Sequence, residues 1–433
     1  MRPSEQLAPA RRFAAAVLCH LCVVSVLAQY DPCGLTWRRV EDIGSIDPPG
    51  HILNYAVAHD SRRGRTVFFG GVNPITEEYQ LDHTWEWDGF IWTRHDPPSH
   101  PEGRHSPAMA YDSRRGVCVL FGGGTNTFQN DIPFNDTWEW DGKSWTMRQA
   151  NDPLAQDRPP PLDHPVLSYD SHRGRTVLTA YSARQNGEIV PLTSTWEWDG
   201  TNWVRFNKAL ARRASPMAYD PLRRVTVLFG GNGGWDGLLN DTWTWDGTNW
   251  TQVATEGPPR RDDHAMAFDE RRGVIVMFGG VGEGANEYLS DTWEWDGTSW
   301  TLVPAANTLG IVPIRSHSMW YEPGQQRLMI YGGTYSAFTP GGIIYHVVLD
   351  DMFEARPPGR WIDFNFVGQP AWPENGTFQW PFNTLAEAVA AADPGCTLIF
   401  KQGVSAESLT LSKTLTLEAY NGPVTIGQPA PIP

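Results

Sequence analysis

Three sets of side chains in this 433-residue chain could do chemistry. The first is an Asp-x-x-Arg pair that occurs five times, at Asp60–Arg63, Asp112–Arg115, Asp170–Arg173, Asp220–Arg223 and Asp269–Arg272. A repeated carboxylate and guanidinium could hold a ligand. At this spacing, however, an Asp side chain accepts from turn amides and the Arg folds back over it, so the pair is expected to be a fastener. The second set is the histidines. His264 and His317 share a position relative to the apolar run that follows, whereas His105 and His164 fall one or two residues away. That scatter suits a structural polar residue better than a metal set. The third set is aromatic and amide. Tyr79, Phe128, Trp235, Tyr288, Tyr335 and Phe338 lie between repeated segments, with Asn73, Asn126, Asn232 and Asn286 among them. Ring faces stack on the apolar face of a sugar or along a peptide, and amides bond to hydroxyls. Asn73, Tyr79, Phe128, Asn232, Trp235, Tyr288 and Tyr335 are therefore the candidate ligand-binding residues, against the competing role of packing the loops on each other. No phosphate loop, zinc spacing or serine elbow is present. No catalytic residue, metal site or cofactor is expected.

The elements that would position these residues are written in a repeat. TWEWDG occurs four times, at 84–89, 137–142, 195–200 and 292–297, and TWTWDG stands at 242–247. A block returning at such intervals signals an array of similar units. Each unit offers four short β-type runs. The first ends at a Tyr or Phe before Asp112, Asp170, Asp220 or Asp269, and the second reads VFFGG, VLFGG or VMFGG in most units. The third is the TWEWDG line, and the fourth surrounds Trp92, Trp145, Trp203, Trp250 or Trp300. Asp-Gly between the third and fourth runs is a strong hairpin signal, since both residues tolerate the positive φ of a tight turn. The two tight hairpins would share one face of the array. The variable connections 72–83, 124–135, 181–194, 232–240, 281–290 and 334–349 would emerge on the other, with proline-rich links such as 152–163. Function on a rigid scaffold concentrates in such loops. The 21 Trp are assigned to packing between units.

Four-stranded units repeated around an axis make a β-propeller, and this one resembles the kelch repeat family. The resemblance rests on a strand ending in Gly-Gly (Gly70-Gly71, Gly122-Gly123, Gly230-Gly231, Gly279-Gly280, Gly332-Gly333) followed by a Trp strand and a second Trp. It covers about residues 34–358, and a degenerate last unit carries Phe353 where Trp would stand. The expected fold is all-β, a six-bladed kelch-type propeller over 29–358. The third unit has Thr179-Ala180-Tyr181 in place of Phe-Gly-Gly, which predicts an irregular second strand. The segment around Trp37 looks like a fourth strand without its first three, so it is expected to close the last blade, with 359–364 as its rival. Kelch-like propellers include copper radical oxidases of the galactose oxidase type, which need a Cys crosslinked to Tyr. Cys118 falls in a packed strand, which argues against that chemistry.

Residues 1–28 read as a secretory signal peptide, with Arg2, Arg11 and Arg12 before an apolar run from Phe13 to Leu27. The formal charge is −15, and loss of three Arg and one Glu with the leader makes it −17. An acidic exported chain is repelled by nucleic acid and by anionic membrane surfaces, and no membrane insertion is expected. Cys33, Cys118 and Cys396 remain, an odd number that allows at most one internal disulfide.

Beyond 358 the composition changes. Residues 359–433 offer a short Ala-rich helix, Leu385 to Ala392, and then alternating strands. This resembles the capping helix and first coil of a right-handed parallel β-helix of the pectate-lyase-like kind. The function expected is that of a secreted, monomeric module binding a glycan or protein ligand through its long-loop face. The alternative is a carbohydrate-active enzyme.

Overall fold

A computed structural model describes residues 35–40 and 49–356, apart from 77, 79–80, 128–129, 151, 153–156, 186–187, 211, 285–286, 305–310 and 339–343, together with 360–362, 384–391, 397–405 and 416–426. Five four-stranded antiparallel sheets succeed one another within 56–95, 108–149, 166–206, 217–254 and 265–302. A sixth is built from Ser318–Glu322, Arg327–Tyr331, Met352–Arg356 and, from the other end of the chain, Thr36–Arg39. The first strands neighbour one another in sequence order, and that of blade six returns to blade one. The chain is an all-β, six-bladed propeller.

The ring closes through the N-terminal strand. Trp37 stands opposite Ala355 in antiparallel register, while the rival Arg360–Ile362 pairs in parallel with Thr397–Ser405. Phe353 fills the blade-six core in place of a Trp.

Repeated side chains tie blade to blade. In blades two, three and four the second Trp of the TWxW line donates to the Glu of the preceding blade: Trp140 to Glu86 at 2.8 Å, Trp198 to Glu139 at 3.0 Å, Trp245 to Glu197 at 2.7 Å. The outer Trp donates to the Thr that opens the preceding blade's third strand, as Trp145 does to Thr84 and Trp203 to Thr137. Asp-x-x-Arg belongs to the same system. Asp60 accepts from the amides of Arg62 and Arg63, and the Arg63 guanidinium bridges Asp60 and Glu86. Arg63 also lies over Gly142 of the next blade, where an added Cβ would sit 2.5 Å from the guanidinium. The pair is a fastener. Trp138 differs from Trp140 in donating to Asp136 of its own blade.

The irregular strand expected in blade three is not there. Arg175–Thr179 shows no register shift, pairing with Val166–Asp170 along its whole length and, through Thr176–Leu178, with the third strand. The reason is that Gly-Gly lies beyond the last ladder residue. Gly70 and Gly71 have φ of 77° and 102°, and a Cβ on them would meet the carbonyl oxygens of Arg104 and Leu53 at 2.6 and 2.8 Å. The glycines shape the exit from the strand, so losing them leaves the strand intact. Blade three exits differently, through Ser182–Gln185, which pairs with Leu162–Asp163.

Three of the variable connections are two-stranded hairpins: 124–133 on blade two, 182–191 on blade three and 334–348 on blade six. Those of blades one, four and five are short turns closed by the isolated pairs Asn73–Glu78, Asn232–Leu238 and Val281–Tyr288. Cys118 is a free, buried thiol opposite Trp140 in the blade-two sheet. Residues 1–28, expected to be a leader, and Cys33 and Cys396 lie outside the described residues.

After the ring, Arg360–Ile362, Thr397–Ser405 and Thr416–Ile426 form a three-stranded parallel sheet. The helix spans Leu385–Ala391, with Thr384 accepting from the Glu387 amide as its cap. Among the described residues no helix is long and apolar enough to cross a membrane.

Candidate functional site at the axis of the loop face

One residue in each blade, just before the first strand, has a positive φ: Asn54, Ser106, His164, Ala214, Asp263 and Ser316, at 50–55°. Left-handed backbone is unfavourable for most side chains by about 1–2 kcal/mol. Here it turns each chain toward its neighbour. The Ser106 amide donates to the Asn54 carbonyl at 2.6 Å, Asp263 to Ala214 at 3.1 Å and Ser316 to Asp263 at 3.0 Å. These bonds run around the axis from blade to blade.

The residue before each of these is pinned by a backbone bridge to the connection after the second strand: Leu53, His105, Arg213, Asp262 and Arg315, with Asp163 in the same register. Around the ring this places Asp163, Arg213, Asp262 and Arg315 on consecutive blades, an alternation of charge over blades three to six. The floor is anchored from below. Arg212 and Arg261, buried one residue earlier, each make a two-pronged bond, to Asp241 and Asp291, and donate to the carbonyls of Gly230 and Gly279. Blade six has the fully buried Ile314 at that position.

The polar groups of the floor are held in place. Arg213 lies over the Tyr181 ring at 5.3 Å, and Arg315 over Tyr288 at 5.1 Å. Asn232 accepts from the Gly234 amide at 2.9 Å and points its Nδ2 at Asp262, 3.4 Å away. Arg315 stands 3.8 Å from Asp263. Burial, reinforced by the neighbouring Asp263, pushes the Asp262 carboxyl up to about 6, against the opposing influence of Asn232, Arg315 and Arg213. Asp262 and Asp263 are half-buried and Arg213 is exposed. The arrangement offers fixed donors and acceptors side by side.

The sequence candidates divide around this floor. Asn232, Tyr288 and Tyr335 fall on consecutive blades four, five and six. Tyr335 also packs against the core of blades five and six. Trp235 sits in the short turn Gly234–Asp236 on blade four. Asn73 is on blade one, beside blade six, and its side-chain oxygen accepts from the amides of Ile75 and Thr76 in its own loop. Tyr79 and Phe128 lie outside the described residues. His264 and His317 are buried wedges against Phe229 and Phe278, not ring-lining groups. Sequence reasoning missed Arg213, Asp262 and Arg315. Their signal was available, since aligned units carry charge at this one offset in consecutive repeats, but a single charged residue before a strand looks like ordinary solvated surface.

The fold and this floor define the chain as a β-propeller with a polar axial site on its long-connection face. No family model and no curated protein matches it. Among solved structures it is similar to one described as the structure of YjhT, with 14% identity and a TM-score of 0.49 over 70% of this chain and 96% of that one.

Proposed function

We propose that this chain is an exported binding module whose kelch-type propeller, residues 29–358, presents the loop face to a glycan or protein ligand. The observation that carries the reading is the position of Tyr288, Tyr335 and Asn232 on consecutive blades beside the fixed polar groups of the axial floor. Rigid aromatic and polar groups on a closed scaffold lose little entropy when a ligand orders them. Residues 1–28 act as the export signal, and the acidic mature chain has nucleic acid and membranes outside its partner range. The C-terminal segment, 359–433, is the start of a parallel β-helix, a reading supported by the parallel pairing of its strands.

A second reading, a carbohydrate-active enzyme, is favoured by one observation. The Asp262 carboxyl, titrating near 6 beside Asp263, has the character of a general acid. The secreted protein applied to glycan and peptide arrays, scored for retention and for released product, separates the two. Retention without product is expected. Retention unchanged in both Tyr288→Ala and Tyr335→Ala would remove the loop-face site, and turnover would install the enzyme.

A further inference from the structure

We propose that the charge-alternating half of the axial ring is a saccharide site, in which Asp262 and Arg213 clamp neighbouring hydroxyls of a neutral sugar. The inference rests on the loop face being the binding face and names the ligand class and residues of that face.

The argument starts from charge. Arg213, Asp262, Asp263 and Arg315 sum to zero, and Asp163 on blade three adds one negative charge, so no anion is drawn in by net field. An anion approaching Arg213 meets the Asp262–Asp263 pair, and a cation approaching that pair meets two guanidiniums. An apolar peptide face laid over the floor would strip water from these groups and leave them unpaired, a cost of several kcal/mol for charged side chains. A hydroxyl is the group that both donates and accepts. Set between a carboxylate oxygen and a guanidinium N–H, it satisfies both, and adjacent hydroxyls on a ring repeat the pattern.

Pre-organisation points the same way. Arg315 is pinned on Tyr288 and Arg213 on Tyr181. Asn232 is fixed by its own turn and faces Asp262. Ligand access is uneven around the ring. Blades four and five carry only short turns, whereas blades three and six, on either side, carry hairpins. The polar floor therefore coincides with the low sector of the face, bordered at both ends.

The test uses the full secreted chain and three probes: neutral hexose oligosaccharides, uronate oligosaccharides of matching length, and an acidic peptide. The neutral set should be retained best. Arg213→Gln, at an exposed position, and Asp262→Asn should each weaken retention at least tenfold with an unchanged melting temperature. Preference for uronates or for the peptide would overturn the saccharide clamp. Neutral-sugar retention that both floor variants preserve but Tyr335→Ala abolishes would also overturn the clamp while sustaining the loop-face reading. Failure to retain any probe, in a protein that melts cooperatively, would overturn both.

Discussion

The indole N–H of Trp37 donates to the hydroxyl of Thr292 at 3.0 Å, across 255 positions of chain. It is the sixth-blade version of the bond that Trp145, Trp203, Trp250 and Trp300 make to the preceding blade. Here it fastens the first strand of the chain onto blade five as that strand completes blade six. Trp37 is 1% exposed and packs on Phe278. Trp37→Ala should therefore cost about 3–5 kcal/mol, the range for truncating a buried aromatic, and thermal unfolding followed by tryptophan fluorescence would register it. A loss below about 1 kcal/mol would mean that the ring does not depend on this strand.

Blade four lacks one fastener. Its line reads TWTWDG, and Thr244 stands where Glu86, Glu139 and Glu197 accept from both the Arg of their own blade and the Trp of the next. Arg223 consequently pairs with Asp220 and reaches the Gly273 carbonyl instead. Thr244→Glu should add an acceptor for Arg223 and Trp295. A gain of about 1 kcal/mol, or ~2 °C in a domain this large, is expected from differential scanning calorimetry. A lower melting point would show that desolvating the new carboxylate outweighs its bonds.

The converse change is costly. Glu139 accepts from Arg115, Arg148 and Trp198 while almost wholly buried. Glu139→Ala leaves the buried Trp198 indole without its acceptor, while Arg115 keeps Asp112 and Arg148 turns to solvent, and should destabilise by about 1–3 kcal/mol in urea titration, beyond the effect of Glu283→Ala in an exposed pair.

Acid should weaken the fold in two stages. Burial, with Arg261 and His317 nearby, keeps His264 neutral well below its usual range, and burial takes His317 down to about 3. The unfolded chain binds these protons below about 6.5 and the folded chain does not, so stability falls from that pH downward, by up to about 1.4 kcal/mol per pH unit for each histidine. Glu86 adds the second stage. Burial would raise its carboxyl, but bonds from His95, Arg63 and Trp140 outweigh burial and hold it at about 2. Its contribution is complete above the unfolded value near 4.5 and is lost as pH falls toward 2. Ser215 occupies the same position in blade four, so His264→Ser with His317→Ser should flatten the upper stage of a melting-temperature series and leave the lower one.

Asp262 should titrate near 6, in surroundings set by Asp263, Asn232, Arg213 and Arg315. Carboxyl-carbon NMR should show one aspartate step there that vanishes in Asp262→Asn. If that step persists in the variant, the assignment of the floor carboxyl is wrong.

Much of the architecture was legible in the chain because its causes are local. Asp88 bonds the amides of Phe90 and Ile91 within its own turn, and Asp60 does the same for Arg62 and Arg63. Side-chain alternation and turn chemistry act over two to five residues, so repeat count, strand order and the fastening role of Asp-x-x-Arg could all be read directly. In blade three the sequence points to an irregular strand because in the other blades Gly-Gly follows the strand without a break in the chain, although its φ values shape only the exit. The hairpins on blades two, three and six were read as plain loops because their sequences lack the alternation of a buried strand.

The sequence by itself determined the propeller and its two kinds of face, and narrowed the strand that completes it to two candidates, between which the structure decided. Only the tertiary structure decided which loop residues meet. Arg213, Asp262 and Arg315 are each one whole repeat apart, so nothing in their neighbourhoods along the chain couples them. They become neighbours because ring closure sets equivalent positions of successive blades side by side around one axis, where left-handed turns bond blade two to one, five to four and six to five.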